Sequence, residues 1–240
     1  MNIYMRIQGQ GHPLIMLHGF GFDSHVWSLI VSELSAHYQL YLVDLPGFGN
    51  TPYCTWAEFK HELLGKLPEQ FAILGWSLGG MFATKLALEH IKRVTHVINV
   101  ASSPYFIKQT TWPGIPQTVL MQFANEIANT PLQALKQFVK IQARNTMVDS
   151  VLPHRDPSAQ GLHSGLEYIS TWDLRDALLD YKKPICYMFG RLDAIVPVQT
   201  FNVMAQTYPH IHTILFRRAA HMPFLSHPKE FMSAIREFLL

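Results

Sequence analysis

Residues 73–80 read Ile-Leu-Gly-Trp-Ser-Leu-Gly-Gly and join an apolar run over residues 71–74 to a helix-prone segment over residues 81–90. Strand, glycine-flanked serine and helix, in that order, are what a nucleophile elbow requires, because the tight turn strains the serine backbone and excludes bulky neighbours. Such a turn lifts the Ser77 hydroxyl clear of a sheet edge and aims the amide of Leu78 at charge forming beside it. We therefore predict a nucleophile at Ser77 and an oxyanion donor at Leu78. The same motif also occurs as an ordinary turn, so its context must decide.

The surrounding sequence alternates between buried-type strands and helices. Strands are predicted over residues 3–8, 13–17, 38–43, 71–75, 94–101, 184–189 and 213–216. Helices of this part of the chain are predicted over residues 23–34, 55–67, 78–90 and 231–240. This alternation specifies the α/β class, with a mostly parallel sheet covered by helices on both faces. In such sheets, active sites lie at the carboxyl ends of the strands.

The alternation stops after residue 103, where a Pro-rich connector over residues 112–116 precedes two amphipathic helical stretches, 118–128 and 132–147. A mobile loop is predicted over residues 153–161. An insertion that follows a strand end is well placed to cover the site as a lid and to line an apolar pocket. The predicted organisation is an α/β core of residues 1–104 and 172–240 with a helical lid of residues 105–171 inserted between strands.

An acid and a base follow the last two predicted strands. Asp193 and His221 are 28 residues apart, and the chain order serine, acid, histidine is that of an α/β-hydrolase triad with Ser77. His221 would accept the Ser77 proton while Asp193 orients the imidazole. Other candidates stand where loop capping or salt bridges explain them better, namely Asp44, Asp173, Asp180 and His227.

A second oxyanion donor is predicted beside the elbow. The apolar run 13–17 ends in His18-Gly19-Phe20-Gly21, whose glycines allow a tight loop over the serine. We expect the amide of Phe20 to act with that of Leu78. The alternative is an ordinary Gly-rich connector.

Composition excludes several other classes of protein. The 240 residues suit one large α/β domain, and the net charge of +2 carries no basic field for nucleic acid. Two distant cysteines, no leader-like N-terminus and no run of about 20 apolar residues predict a cytoplasmic protein without membrane attachment. The thirteen histidines show no zinc-motif spacing, so we expect neither metal nor cofactor. We also expect a monomer.

The second helical stretch of the lid carries a basic stripe. Lys136, Lys140 and Arg144 recur every four residues, and no acidic residue lies between Thr130 and Val148. This pattern predicts either a solvated basic face or a docking surface for an acidic partner.

The whole chain resembles the α/β-hydrolases and, more narrowly, the pimeloyl-acyl carrier protein methyl ester esterases of biotin synthesis. The motifs that carry the resemblance are Leu-His-Gly-Phe-Gly at 17–21, Leu-Val-Asp-Leu-Pro-Gly-Phe-Gly at 42–49, Leu-Gly-Trp-Ser-Leu-Gly-Gly at 74–80, Val-Ala-Ser-Ser-Pro at 100–104, Trp-Pro-Gly-Ile at 112–115 and Ala-Ala-His-Met-Pro-Phe at 219–224. The tryptophan of the elbow, Ser-Ser-Pro and Trp-Pro-Gly-Ile are the more particular ones.

The resemblance implies a serine carboxylesterase that releases methanol from the pimeloyl methyl ester carried by acyl carrier protein. It implies substrate contacts at Phe20, Ser77, Leu78, Phe138, Val139, Lys140, Ile141, Gln142 and His221. The family docks its carrier through basic lid residues, but Gln133 and Gln137 stand where arginines are expected. Lys136, Lys140 and Arg144 are then the candidates for docking. The alternatives are a general short-acyl esterase or thioesterase without a carrier, and a hydrolase-fold protein that only senses a ligand.

Overall fold

The computed structural model describes residues 2–143 and 151–240, which fold around one seven-stranded sheet. The strands are β1 (Met5–Gln8), β2 (His12–Leu17), β3 (Tyr38–Val43), β4 (Phe71–Trp76), β5 (Val94–Val100), β6 (Ile185–Gly190) and β7 (His212–Phe216). Their order is β1-β3-β2-β4-β5-β6-β7, and only β1 runs antiparallel to its neighbour. The predicted strands are confirmed to within two residues at each end.

The helices lie on both faces of the sheet and in the lid. They are α1 (Ser28–Leu34), α2 (Trp56–Lys66), α3 (Leu78–Glu89), α4 (Gln117–Asn129), α5 (Pro131–Ala143), α6 (Ala159–Thr171), α7 (Arg175–Leu179), α8 (Gln199–Thr207), α9 (Pro223–Ser226) and α10 (Pro228–Leu239). Strand side chains alternate between two buried clusters, one shared with α2, α3, α8 and the lid, the other with α1 and α10. None of the helices in the described ranges is long and apolar enough to cross a membrane.

The lid differs from its prediction at two places. The loop predicted over residues 153–161 is wrong at its carboxyl end, because α6 begins at Ala159. Glycines weaken the helical signal there, but a Cβ at Gly161 would lie 2.6 Å from the Gly47 carbonyl oxygen, so this close backbone approach requires glycine. The helix predicted over residues 132–147 is found as α5, and residues 144–147 lie outside the described residues.

An aromatic cluster fixes the end of α6 to the core. The Trp172 ring lies 5.2 Å from that of Phe82 on α3 and 5.5 Å from that of Trp56 on α2, measured between centroids. Tyr168 stacks on the same indole at 4.4 Å, and the Lys85 ammonium sits 4.9 Å from its centre. This end of the lid is therefore held in place over the sheet.

The chain order reverses between β2 and β4, and this reversal positions the site. β3 pairs with one side of β2 and β4 with the other, with Leu17 opposite Gly75 in register. Crevices form at such switch points, outside the carboxyl ends of the strands. The loop after β2 and the turn after β4 therefore emerge side by side.

Candidate active site

Ser77 lies in a strained turn between β4 and α3. Its φ of 55° and ψ of −117° fall in a region that side chains avoid, and its N–H donates to the Val100 carbonyl at 2.9 Å. A Cβ at Gly75 would lie 2.1 Å from the Gly79 carbonyl oxygen, and one at Gly79 would lie 2.5 Å from the Leu17 carbonyl oxygen. Both flanking glycines are thus required by close packing, and the turn has the predicted elbow geometry.

Asp193 and His221 form a buried pair. The Nδ1 of His221 lies 2.7 Å from Asp193 Oδ2, and both side chains are almost fully enclosed. Asp193 Oδ1 accepts the N–H groups of Ile195 and Val196 at 2.8 and 3.0 Å. With Nδ1–H donated to the carboxylate, the imidazole presents the lone pair of Nε2. That nitrogen is buried without a hydrogen-bond partner in the part of the chain that the structure describes.

Trp76 ties this histidine to the elbow. Its indole N–H donates to the His221 carbonyl at 2.8 Å, and the two rings lie 5.6 Å apart. The indole also packs edge-on against Phe22 and Phe224, at 5.0 and 5.3 Å. The residue before Ser77 therefore holds the His221 loop against the elbow.

The loop after β2 packs against the elbow and carries the second predicted donor, the amide of Phe20. Leu78 is the first residue of α3, so its N–H has no intrahelical acceptor, and the Phe20 N–H has no backbone acceptor among the described residues. The Phe20 ring packs against those of Phe123 and Phe138 in the lid, at 6.0 and 5.9 Å. Core and lid together fix the position of this loop.

His18, the first residue of that loop, is buried in a defined tautomer. The Leu45 N–H donates to Nε2 at 2.9 Å, so Nδ1 carries the proton and donates to the Gly19 carbonyl at 2.8 Å. Burial lowers the pKa of His18 below its ordinary value, against an opposing effect of the nearby Asp44 carboxylate. The ring is therefore held neutral.

The buried neutral state of His18 predicts a pH-dependent stability. A lowered pKa in the folded state means that the unfolded chain binds more protons below about pH 6.5, so stability is lost as pH falls through that value, by at most about 1.4 kcal/mol per pH unit for one group. His96, whose pKa burial also lowers, adds in the same direction. Urea unfolding on both sides of this pH should show a shallower dependence in His18→Asn, with His96→Gln as the comparison. An unchanged slope in His18→Asn would contradict the assignment.

An apolar cavity of about 270 Å³ opens at Ser77. Its walls come from the Phe20 loop, the lid and the residues after Asp193, namely Phe20, Ser77, Phe106, Ile115, Val119, Leu120, Gln122, Phe123, Glu126, Phe138, Ile141, Leu166, Ile169, Ala194 and Ile195. A larger depression of about 760 Å³ lies between α4 and α6, but Ser77 is not part of its lining. Of these two, the smaller cavity is the one with Ser77 in its wall.

The structure separates the five consecutive lid residues for which substrate contacts are predicted. Phe138 and Ile141 line the cavity, whereas Val139 and Gln142 are buried outside its lining and Lys140 is exposed. Sequence reasoning did not assign pocket roles to most of the α4 and α6 residues in the walls. Those on α4, at positions 119, 120, 122, 123 and 126, recur at helical spacing, which is the signal that could have identified them.

Three of the four rival acids and bases have other partners, and the fourth ends a helix. Asp44 accepts the N–H groups of Ser24 and Asn50 at 2.8 and 2.9 Å, which is the predicted capping role. Asp173 pairs with Arg175, Asp180 ends α7, and His227 bonds to Ser226. On α5, Lys136 and Lys140 are exposed, and Arg144 lies outside the described residues.

Fold and site together define a class of protein, and comparison identifies it: the alpha/beta hydrolase family matches residues 14–234, and the chain belongs to that family. It is 45% identical, over 239 residues and 100% of both chains, to a relative from Legionella pneumophila (strain Corby) named pimeloyl-[acyl-carrier protein] methyl ester esterase. A relative of the same name from Aeromonas salmonicida (strain A449) is 37% identical, again over 100% of both chains. An esterase structure from Exiguobacterium antarcticum shares the fold, with a TM-score of 0.89, 23% identity and coverage of 98% of this chain and 94% of that one.

Proposed function

We propose that the chain is a serine carboxylesterase that hydrolyses the methyl ester of pimeloyl-acyl carrier protein to the free acid and methanol. The observation that carries the chemistry is the elbow serine in the wall of an apolar cavity, next in sequence to a tryptophan that bonds the backbone of a buried histidine paired with an aspartate. The substrate is supported by the name shared by relatives that match the chain over its whole length.

The proposed mechanism assigns one task to each group. The Ser77 hydroxyl attacks the ester carbonyl while Nε2 of His221 takes its proton, and Asp193 stabilises the imidazolium that forms. The N–H groups of Phe20 and Leu78 hold the oxyanion, and each such donor contributes about 10²- to 10³-fold to the rate. His221 returns the proton to methanol, then activates the water that frees the acid.

The cavity suits an acyl chain rather than a polar ligand. Its lining is apolar except for Ser77, the exposed Gln122 and the half-buried Glu126. Each methylene buried there contributes about 0.8 kcal/mol, so a chain of several methylenes can position its terminal ester at the serine.

We also propose that the acidic carrier docks on α5, through Lys136 and Lys140, together with Arg144, which follows α5 in the sequence and lies outside the described residues. The first two are exposed on the helix whose Phe138 and Ile141 line the cavity. Exposed charges of this kind guide association and are screened by salt. A cytoplasmic location is part of this proposal, and the two buried, unpaired cysteines support it.

Charge reversal tests the docking surface. Lys136→Glu/Lys140→Glu should raise KM for the carrier-linked ester roughly 10-fold at low salt and leave kcat within about twofold, since exposed pairs contribute up to about 1 kcal/mol each. A small-thiol ester should show no change. The matched control is Lys182→Glu/Lys183→Glu, which makes the same charge change at two exposed lysines just before β6, at the amino ends of the parallel strands. Equal effects of the two double variants on the carrier-linked ester would contradict this docking site.

Mass spectrometry of the carrier tests which bond is cleaved. An esterase leaves the acyl group on the carrier and removes one methylene unit of mass, because a methyl ester becomes a carboxylic acid. Loss of the whole acyl group would instead identify a thioesterase. An unchanged mass with tight binding of the substrate would favour the sensor alternative.

A further inference from the structure

The two proposed oxyanion donors are the N–H groups of Leu78 and Phe20. In each case the carbonyl of the same peptide group, on the side away from the N–H, accepts hydrogen bonds. The Ser77 carbonyl and the Leu78 N–H share one planar group and point in opposite directions. That carbonyl accepts the Ser102 hydroxyl at 2.8 Å and the Gly80 N–H at 2.9 Å. The direction of the Leu78 N–H is therefore set partly by a side chain on another strand end.

The end of β5 is shaped to deliver this contact. Ala101 has a φ of 45°, and it is the one non-glycine residue besides Ser77 with a positive φ in the described ranges. Its N–H donates to the Met188 carbonyl at 2.8 Å. On either side of this reversal, the Val100 carbonyl accepts the Ser77 N–H and the Ser102 hydroxyl bonds the Ser77 carbonyl. A strained backbone at a buried alanine persists only where the surrounding structure holds it in place, and such residues cluster at functional sites.

The second oxyanion peptide is braced in the same manner. The Gly19 carbonyl and the Phe20 N–H form its planar group, and that carbonyl accepts His18 Nδ1–H at 2.8 Å and the Phe22 N–H at 3.3 Å. The Leu45 N–H fixes the tautomer that makes this donation possible. A serine hydroxyl at one donor and a histidine ring at the other thus each bond the carbonyl of the peptide group that carries the donor N–H.

We infer that Ser102 and His18 are positioning residues of the oxyanion hole, acting through the peptide groups of Leu78 and Phe20. A hydrogen bond accepted by a carbonyl holds the plane of its peptide and polarises the N–H on the other side, which becomes a stronger donor. The oxyanion gains from such preorganisation mainly in the transition state. This inference rests on the proposed ester hydrolysis at Ser77.

Ser102→Ala tests the first brace, with Ser103→Ala as the matched control. Ser103 is an adjacent buried serine whose hydroxyl bonds the Tyr105 carbonyl at 2.7 Å, away from the elbow. On an activated aryl ester, Ser102→Ala should lower kcat by about 10-fold and change KM by less than about twofold. Inhibition by an alkyl trifluoromethyl ketone, which forms an oxyanion at the serine, should weaken by a similar factor. Ser103→Ala should change neither value.

His18 variants separate the donor from the acceptor of the ring. Asparagine places an N–H near the position of Nδ1 and keeps the bond to Gly19, whereas glutamine reaches the position of Nε2 and keeps the bond from Leu45. We expect His18→Asn to retain clearly more kcat than His18→Gln at comparable stability. The reverse order would overturn the role of His18.

The Leu78 amide proton gives a readout that does not depend on turnover. In Ser102→Ala its NMR resonance should move to higher field, since the peptide is less polarised, and it should stay in place in Ser103→Ala. Full kcat in Ser102→Ala, equal kcat and KM losses in the two serine variants, or an unmoved resonance would each overturn the inference. Wild-type protein without ester hydrolysis would instead overturn the proposed function, and the resonance would still decide whether the brace exists.

Discussion

Replacing Ser77 with alanine is expected to lower kcat on methyl esters by at least about 10⁴-fold, because the covalent route is lost and only the oxyanion donors and binding remain. Alanine keeps the Cβ, and the backbone bonds of the elbow to Val100 and Gly80 do not involve the hydroxyl. The protein should therefore unfold at an unchanged temperature and bind the ester as before.

Single-turnover kinetics with the carrier-linked ester measures this loss, and thermal unfolding checks the fold. Ser103→Ala serves as the matched serine variant here as well, and it should behave as wild type. If Ser77→Ala kept more than about one hundredth of the wild-type kcat, a covalent mechanism at Ser77 would be excluded.

Asp193→Asn is expected to lower kcat by about 10⁴-fold with little change in KM. The Oδ1 atom accepts two backbone N–H groups, from Ile195 and Val196, so the amide oxygen of asparagine stays there and its NH₂ faces His221. The imidazole must then accept at Nδ1 and carry its proton on Nε2, where it cannot take the proton of Ser77. The wrong tautomer is thus enforced by the surrounding amides.

Activity measured across the pH range above neutrality tests this substitution: kcat of Asp193→Asn should stay low throughout, because the imidazole in this tautomer carries a proton on Nε2 and cannot accept one there. Asp173→Asn is the matched control, since Asp173 only pairs with Arg175 at the surface. Comparable kcat losses in the two variants would show that Asp193 does not orient His221.

The strands and the nucleophile elbow could be predicted from the sequence, because local residue patterns determine them. The buried strands follow from short apolar runs, and the elbow from two glycines around Ser77 at a strand-to-helix junction. The pairing of Asp193 with His221 could be expected because both follow parallel strands and therefore meet at one sheet edge. The α/β-hydrolase family is confirmed by the match over residues 14–234.

Features that arise from packing between distant segments were not predicted. Helix α6 carries Gly161 and Gly165, which weaken its helical signal but fit against Gly47 and the Phe20 ring. The hydrogen bond from Ser102 to the Ser77 carbonyl depends on the positive φ of Ala101. An alanine gives no sequence signal for that backbone conformation.

The contacts implied for residues 138–142 could have been narrowed from the sequence. Successive helical residues are about 100° apart, so five in a row cannot all face one ligand. Phe138 and Ile141, three apart, share the face that lines the cavity. The roles of the other three toward the substrate stay predictions.

The most direct test is the rate of methanol release from pimeloyl methyl ester on acyl carrier protein, compared with the same ester on a small thiol, for wild type and Ser77→Ala. We predict a marked preference of the wild type for the carrier-linked ester and loss of both activities in the variant. Equal wild-type rates on the two esters would contradict the carrier-dependent function, and activity that survives in Ser77→Ala would contradict the mechanism itself.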